Sequence, residues 1–158
     1  MYGNPCRAMA RRTRVEEVAR SLEIAQHEAA HLVVGRALGL RPFRAVLGDQ
    51  GDGSAGFVEW DRRPWYPEAV RMMYAAGVVW ERKCGDLTKA EYDLAELRRA
   101  GVQGNGRLVA LERAAWAILA ERHALHAKIT RALYERDLTE RDIRALAKGQ
   151  FPRDYDAA

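Results

Sequence analysis

The densest chemistry in the chain lies in one short segment, His27-Glu28-Ala29-Ala30-His31. Histidines four residues apart are offset by about 40° on a helix, so both imidazoles project from one face and can hold a single ion at about 2 Å. Glu28 follows the first histidine and projects to the side of the pair. From there a carboxylate can reach a water on the ion without ligating the ion, which is the geometry of a general base. The chemistry this pattern predicts is metal-assisted hydrolysis, with zinc as the cofactor.

A catalytic zinc takes a third protein ligand and keeps one position open. A HExxHxxGxxH arrangement would put the third histidine at position 37, where the chain has Ala37, so that architecture is excluded. His123 and His126 are three residues apart in a strongly charged segment that brings no acid, and the expectation for them is a solvated or half-buried place. Asp93 is the better candidate. On a helix over residues 89–99, Ala90, Leu94, Leu97 and Ala100 share one face and Asp93 falls within it. A carboxylate on a core-facing stripe needs a cation, which a metal or an arginine can supply. Glu96 borders the same stripe and is the fallback ligand.

Several elements must position these groups. Thr13 with Glu16 reads as a capping box opening a helix that runs to about Leu38, where Gly39 and Pro42 stop it. On that helix Val15, Val18, Leu22, Ala25, Ala29 and Leu32 form one apolar stripe, and Ile24, His27, His31, Val34 and Leu38 form a second. A helix apolar on two faces is expected to run through the middle of the domain. Two strands, Arg44–Leu47 and Gly56–Trp60, flank a Gly/Asp-rich turn over residues 48–53. Pro67 opens a helix to about Cys84 that Gly85 stops, and Thr88 with Glu91 predicts a capping box for a helix from Lys89 to Arg99. Residues 101–106, with three glycines, read as a flexible connector; a single long helix over 107–136 and a last helix from Glu140 to Lys148, capped by Thr139, follow. The fold class is mainly α with a small β-hairpin or sheet.

A chain of 158 residues, 48% apolar and 30% charged, reads as a flexible basic tail over residues 1–12 and one domain over 13–158. Cys6 and Cys84 have no metal-binding spacing, and Cys84 is expected to be a small packed residue. The net charge of +4, with Arg7, Arg11, Arg12 and Arg14 clustered early, fits a solvated tail better than a nucleic-acid arm. With no apolar run of membrane-spanning length and no leader-like apolar stretch, the expected location is the cytoplasm.

Three stretches together resemble the peptidase domain of the FtsH-type ATP-dependent zinc metalloproteases. They are Ala25-Gln-His-Glu-Ala-Ala-His-Leu-Val-Val34, similar to that family's HEAGH helix; Ala75-Ala-Gly77 with Glu81, similar to its Gly-rich helix; and Tyr92-Asp93-Leu94, similar to its Asn-Asp-Leu segment. Order and rough spacing agree over residues 23–100. The resemblance implies an FtsH-peptidase-like fold, His27, His31 and Asp93 as zinc ligands, and Glu28 as catalytic base. It also implies that Gly56, Phe57, Val58 and Glu59, with Trp60, form an edge strand on which an extended polypeptide substrate lies. The chain departs from the pattern at Ala30 and Tyr92, and it has no Walker A motif, so any unfolding ATPase would be a separate partner. The expected activity is zinc endopeptidase cleavage of extended or unfolded polypeptides. The alternative is a zinc-stabilised interaction module or regulator of the same fold without turnover.

Overall fold

The computed structural model describes residues 21–48, 55–61 and 67–151. Its order is α1 (Leu22–Ala37), β1 (Pro42–Leu47), β2 (Gly56–Trp60), α2 (Pro67–Cys84), a 3-10 turn (Leu87–Ala90), α3 (Glu91–Arg99), α4 (Asn105–Glu121), α5 (His123–Glu135), β3 (Leu138–Thr139) and α6 (Glu140–Leu146). The mainly helical class with a small sheet is as expected; the sheet is three-stranded and antiparallel, in the order β2-β1-β3.

Helix α1 is the central element. It starts later than the sequence suggests, because Ser21 is extended and its hydroxyl accepts the Ile24 N–H at 3.1 Å, capping the first turn there. The predicted cap at Thr13 and Glu16 and the tail over 1–12 lie outside the described residues, as does most of the turn over 48–53. From His27 to Arg36 every residue of α1 is buried. From Ala25 to Val34 the expected stripes are covered, by α2 and α5 on two sides and by β1 and β2 on a third, whereas Leu22 is exposed and Val15 and Val18 lie outside the described residues. Ala25, Ala29, Leu32, Val33 and Val34 join Ala75, Ala76 and Val78 of α2 and Ile129 and Leu133 of α5 in one core. Fully burying each of the larger side chains is worth about 1.5–3 kcal/mol.

The sheet runs beside this helix. Pairs from Arg44↔Glu59 to Leu47↔Gly56 set the β1–β2 register, with a bulge between Pro42 and Arg44. Ala45 and Leu47 face the core, while Arg44 and Glu59 form an exposed cross-strand ion pair at 2.6 Å. The third strand, Leu138–Thr139, was not expected; it is only two residues long and has no alternation to read.

Three helix predictions need correction. Asp86, not Thr88, caps the turn before Asp93: its carboxylate accepts the Thr88 N–H at 3.0 Å, and a 3-10 turn precedes α3. The connector is shorter than expected, with Gly101 and Gly104 at φ +81° and +85° and the helix beginning at Asn105. The single helix over 107–136 is two helices broken at Arg122. The break contains neither glycine nor proline. Its cause is tertiary: α4 packs on α2 and α5 packs on α1, so the axis must turn, and the Arg122 N–H and His123 Nδ1–H still reach the Ile118 and Ala120 carbonyls. Helix α6 carries the expected Thr139 cap, completed by Asp142, but ends at Leu146. Cys84, expected to be packed, is exposed at the end of α2.

Candidate metal centre

His27 and His31 lie one turn apart on α1, and α3 brings Asp93 against them. Asp93 Oδ2 is 3.0 Å from His27 Nε2 and 3.3 Å from His31 Nε2, and the two Nε2 atoms are 3.1 Å apart. All three residues are buried, at 8%, 6% and 3% exposure. Three donors sharing an ion at 2.0–2.1 Å in tetrahedral array stand about 3.3 Å apart, so this triangle already has the dimensions of a metal site. Glu96, the fallback, is turned away and pairs with Arg99.

The outer nitrogens decide what the inner ones can do. His27 Nδ1–H donates to Glu81 Oε1 at 3.1 Å, and His31 Nδ1–H donates to the Met73 carbonyl at 2.8 Å. Both partners only accept, so both neutral rings carry their proton on Nδ1 and turn the Nε2 lone pairs inward. Asp93 Oδ2 meets them there and receives no aligned hydrogen bond. With both rings neutral, three convergent lone pairs would face one another, an unfavourable buried arrangement that a shared proton or a metal ion relieves, since one unsatisfied polar group costs about 1–3 kcal/mol. A cation removes the conflict. These residues fit a metal ion.

Electrostatics point the same way. Burial opposes charge on His27, but the Asp93 and Glu81 carboxylates outweigh it and raise the ring to about 10. Burial likewise opposes charge on His31, and Asp93 raises it nonetheless. For Asp93, burial works against the anion, yet His31 and His27 hold its carboxyl down at about 2. The pocket thus stabilises positive charge at its centre. Glu28 is buried beside the histidines, and burial raises its carboxyl above the ordinary range against their pull.

Gly77 and Glu81 of α2, which carry part of the family resemblance, complete the surroundings of the centre. Met73, Gly77 and Glu81 recur every fourth residue on α2 and form the face that meets the ligands. A Cβ on Gly77 would lie 2.6 Å from His31 Cε1 and 2.8 Å from His27 Cε1, and closer still to Asp93 Oδ2. Only glycine lets α2 approach the site this closely. Glu81 is 2% exposed; its second oxygen accepts the Asp86 N–H at 2.7 Å, so one carboxylate holds His27 and the turn leading to α3. The signal for both residues was their four-residue spacing from Met73 along one face of the helix.

Strand β2 is the sheet edge and runs alongside α1: Gly56 lies against Ile24, and the Trp60 ring covers Gly35. Gly56, Phe57, Val58 and Glu59 are partly exposed along this stretch, level with the HExxH turn. His126 is more buried than expected, at 6%, and its Nε2–H donates to the Gln26 carbonyl at 2.9 Å; His123 is exposed. Neither approaches the ligands. Two cavities of about 620 and 540 Å³ share Trp116 and include none of His27, Glu28, His31 and Asp93. No helix among the described residues is long and apolar enough to cross a membrane. The sequence matches no protein-family model and no curated protein.

Proposed function

We propose that this protein is a zinc metalloendopeptidase, related to the FtsH-type peptidase domains it resembles, that cleaves extended or unfolded polypeptides. The observation that carries the reading is the convergence of His27 Nε2, His31 Nε2 and Asp93 Oδ2 within 3.0–3.3 Å beside a buried carboxylate on the same helix. Zinc suits two imidazoles and one carboxylate, and three protein ligands leave a position open. When bound, zinc supplies a Lewis acid for the scissile carbonyl and acidifies a water toward a pKa of about 7.

The protein residues do the rest. Glu81 and the Met73 carbonyl fix the ring orientations, so that both histidines offer Nε2 and lose no freedom on binding. Glu28, with its proton affinity raised by burial, accepts a proton from water and returns it to the leaving amine. Strand β2 stands at the end of the strand order among the described residues, and a substrate in extended form would add there as a further strand. Recognition through main-chain groups suits unfolded segments of many sequences. Folded substrates need unfolding first, which a separate ATPase partner would supply.

The test is Glu28→Gln in the purified protein with a fluorogenic unfolded polypeptide. Metal content stays at one ion per chain, and cleavage falls by about 10²–10⁴-fold. Undiminished cleavage would sink the assignment of Glu28. Full metal occupancy in the unaltered protein with no cleavage of any unfolded polypeptide would favour the alternative, a metal-stabilised interaction module.

A further inference from the structure

The cavity of about 620 Å³ lies among four helices. Gln26 of α1, Trp80 of α2, Trp116 of α4, and His126 and Thr130 of α5 line it. Its size, and its mixture of rings with a few polar groups, are those of a small-molecule site. The rings form one row. His126 lies against Trp80 at 4.1 Å between centroids with a 35° tilt, and Trp116 continues the row at 6.4 Å from Trp80 with a 36° tilt. Two polar groups stand beside this row. Gln26 is half-buried, and its side-chain amide carries an N–H donor and a carbonyl acceptor side by side. Thr130 is 5% exposed, and its hydroxyl has no hydrogen-bond partner among the described residues. A helical threonine divides between two χ1 rotamers, so that hydroxyl can be re-aimed toward a guest. The charged side chains of the lining, Arg131 and Glu135, are one of each sign and both exposed, and burial favours the neutral form of His126. Nothing in the lining selects an ion.

We propose that this cavity is a binding site for a neutral, flat aromatic molecule with a lactam-like edge, an N–H beside a carbonyl. Its ring packs on the row formed by His126, Trp80 and Trp116, where ring contacts add to the gain from apolar burial. Its edge pairs with the Gln26 amide, the guest N–H donating to the Gln26 carbonyl and the Gln26 N–H donating to the guest carbonyl. A charged molecule would leave water there without an opposite charge to receive it, and a saturated one would lose the ring contacts. The site holds none of the candidate metal ligands and does not rest on the metallopeptidase reading.

The probes are quinolin-2-one, a flat bicycle with such an edge, and its N-methyl derivative, which keeps the rings and the carbonyl and loses the donor. Each is titrated by calorimetry into the zinc-loaded protein. Quinolin-2-one is expected to bind with a Kd of about 0.1 mM, and the N-methyl compound about tenfold more weakly. Gln26→Leu removes both halves of the pairing and should bring the two compounds within about twofold of each other. Trp116→Ala should weaken both about tenfold, with the circular dichroism of each variant unchanged. Acetohydroxamate, a small zinc chelator, should displace neither. The site is overturned by no binding of quinolin-2-one, by equal binding of the two compounds to the unaltered protein, by a preference that survives Gln26→Leu, or by unchanged affinity in Trp116→Ala. Displacement by acetohydroxamate overturns it as well, since the probe would then sit on the metal.

Discussion

Gly77 and Glu81 shape the candidate metal centre without being among its three donors. Gly77 contributes an absence: there is no room for a methyl group between α2 and the three ligands. Gly77→Ala should fold, since alanine favours helix by about 1 kcal/mol over glycine, yet lose the centre because the new Cβ displaces Asp93 or both imidazoles. The expected result is metal content below about a tenth of an ion per chain with near-normal helicity by circular dichroism. Full occupancy in that variant would show that α2 can move away at little cost. Glu81 contributes orientation. Glu81→Gln keeps an acceptor for the His27 Nδ1–H but can no longer accept from both His27 and Asp86 as an anion. Metal affinity should fall about 10–100-fold, read by competition with a chromophoric chelator. An unchanged affinity would mean that His31 and Asp93 alone set the site.

At the scale of elements, the site depends on how closely strand and helix approach α1. A Cβ on Gly35 would lie 2.8 Å from Trp60 Cζ3, so Gly35→Ala must push the end of β2 away from the site helix. Overpacking of this kind costs about 1–3 kcal/mol. The variant should show a lower urea midpoint and weaker peptide cleavage at undiminished metal content; loss of metal instead would place the strain on α1 itself. Helix α5 holds the other side of α1 through His126, whose Nε2–H reaches the Gln26 carbonyl. Burial lowers the His126 pKa below 6.5, so the folded protein favours the neutral ring. The unfolded chain then binds the proton more readily, and the contribution is full above pH 6.5 and lost as pH falls below it. In zinc-loaded protein, the stability difference between wild type and His126→Gln should shrink from pH 8 to pH 5; a constant difference would show that folding leaves the pKa of the ring unchanged.

These elements were unequally legible in the sequence. His27, His31 and Asp93 stood out because each is polar within an apolar stripe, a local conflict that a single helix cannot resolve and a shared ion can. Strand β2 was legible from the glycine-rich turn before it and from its β-branched and aromatic residues, whereas its place at the sheet edge came only from the resemblance. The break at Arg122 was not, because helix propensity over 107–136 is uniform and the turn is imposed by packing on two different helices. The cap moved from Thr88 to Asp86 for a similar reason: both residue types cap well, and Glu81, by accepting the Asp86 N–H, settles where the turn begins.

For the whole molecule, an ion held by His27, His31 and Asp93 would join parts that are otherwise held by separate contacts. His27 and His31 come from the central helix and Asp93 from α3, which packs chiefly on α2. An ion across that gap links the two in the folded state only, because the unfolded chain does not bring residues 27 and 93 within 3.0 Å. Binding must then add to stability by mass action, about 2.7 kcal/mol at a free metal concentration 100 times the dissociation constant. For a domain of this size that corresponds to a rise in Tm of about 5–10 °C. Zinc-loaded protein should therefore melt higher than protein stripped by a chelator, with the difference growing with the logarithm of free zinc. Asp93→Ala should show little of this response, while Glu28→Gln should show all of it, since Glu28 is not a ligand. An equal response in Asp93→Ala would place the ion elsewhere and remove α3 from the site, and a lost response in Glu28→Gln would make that carboxylate a ligand and deny it the role of base.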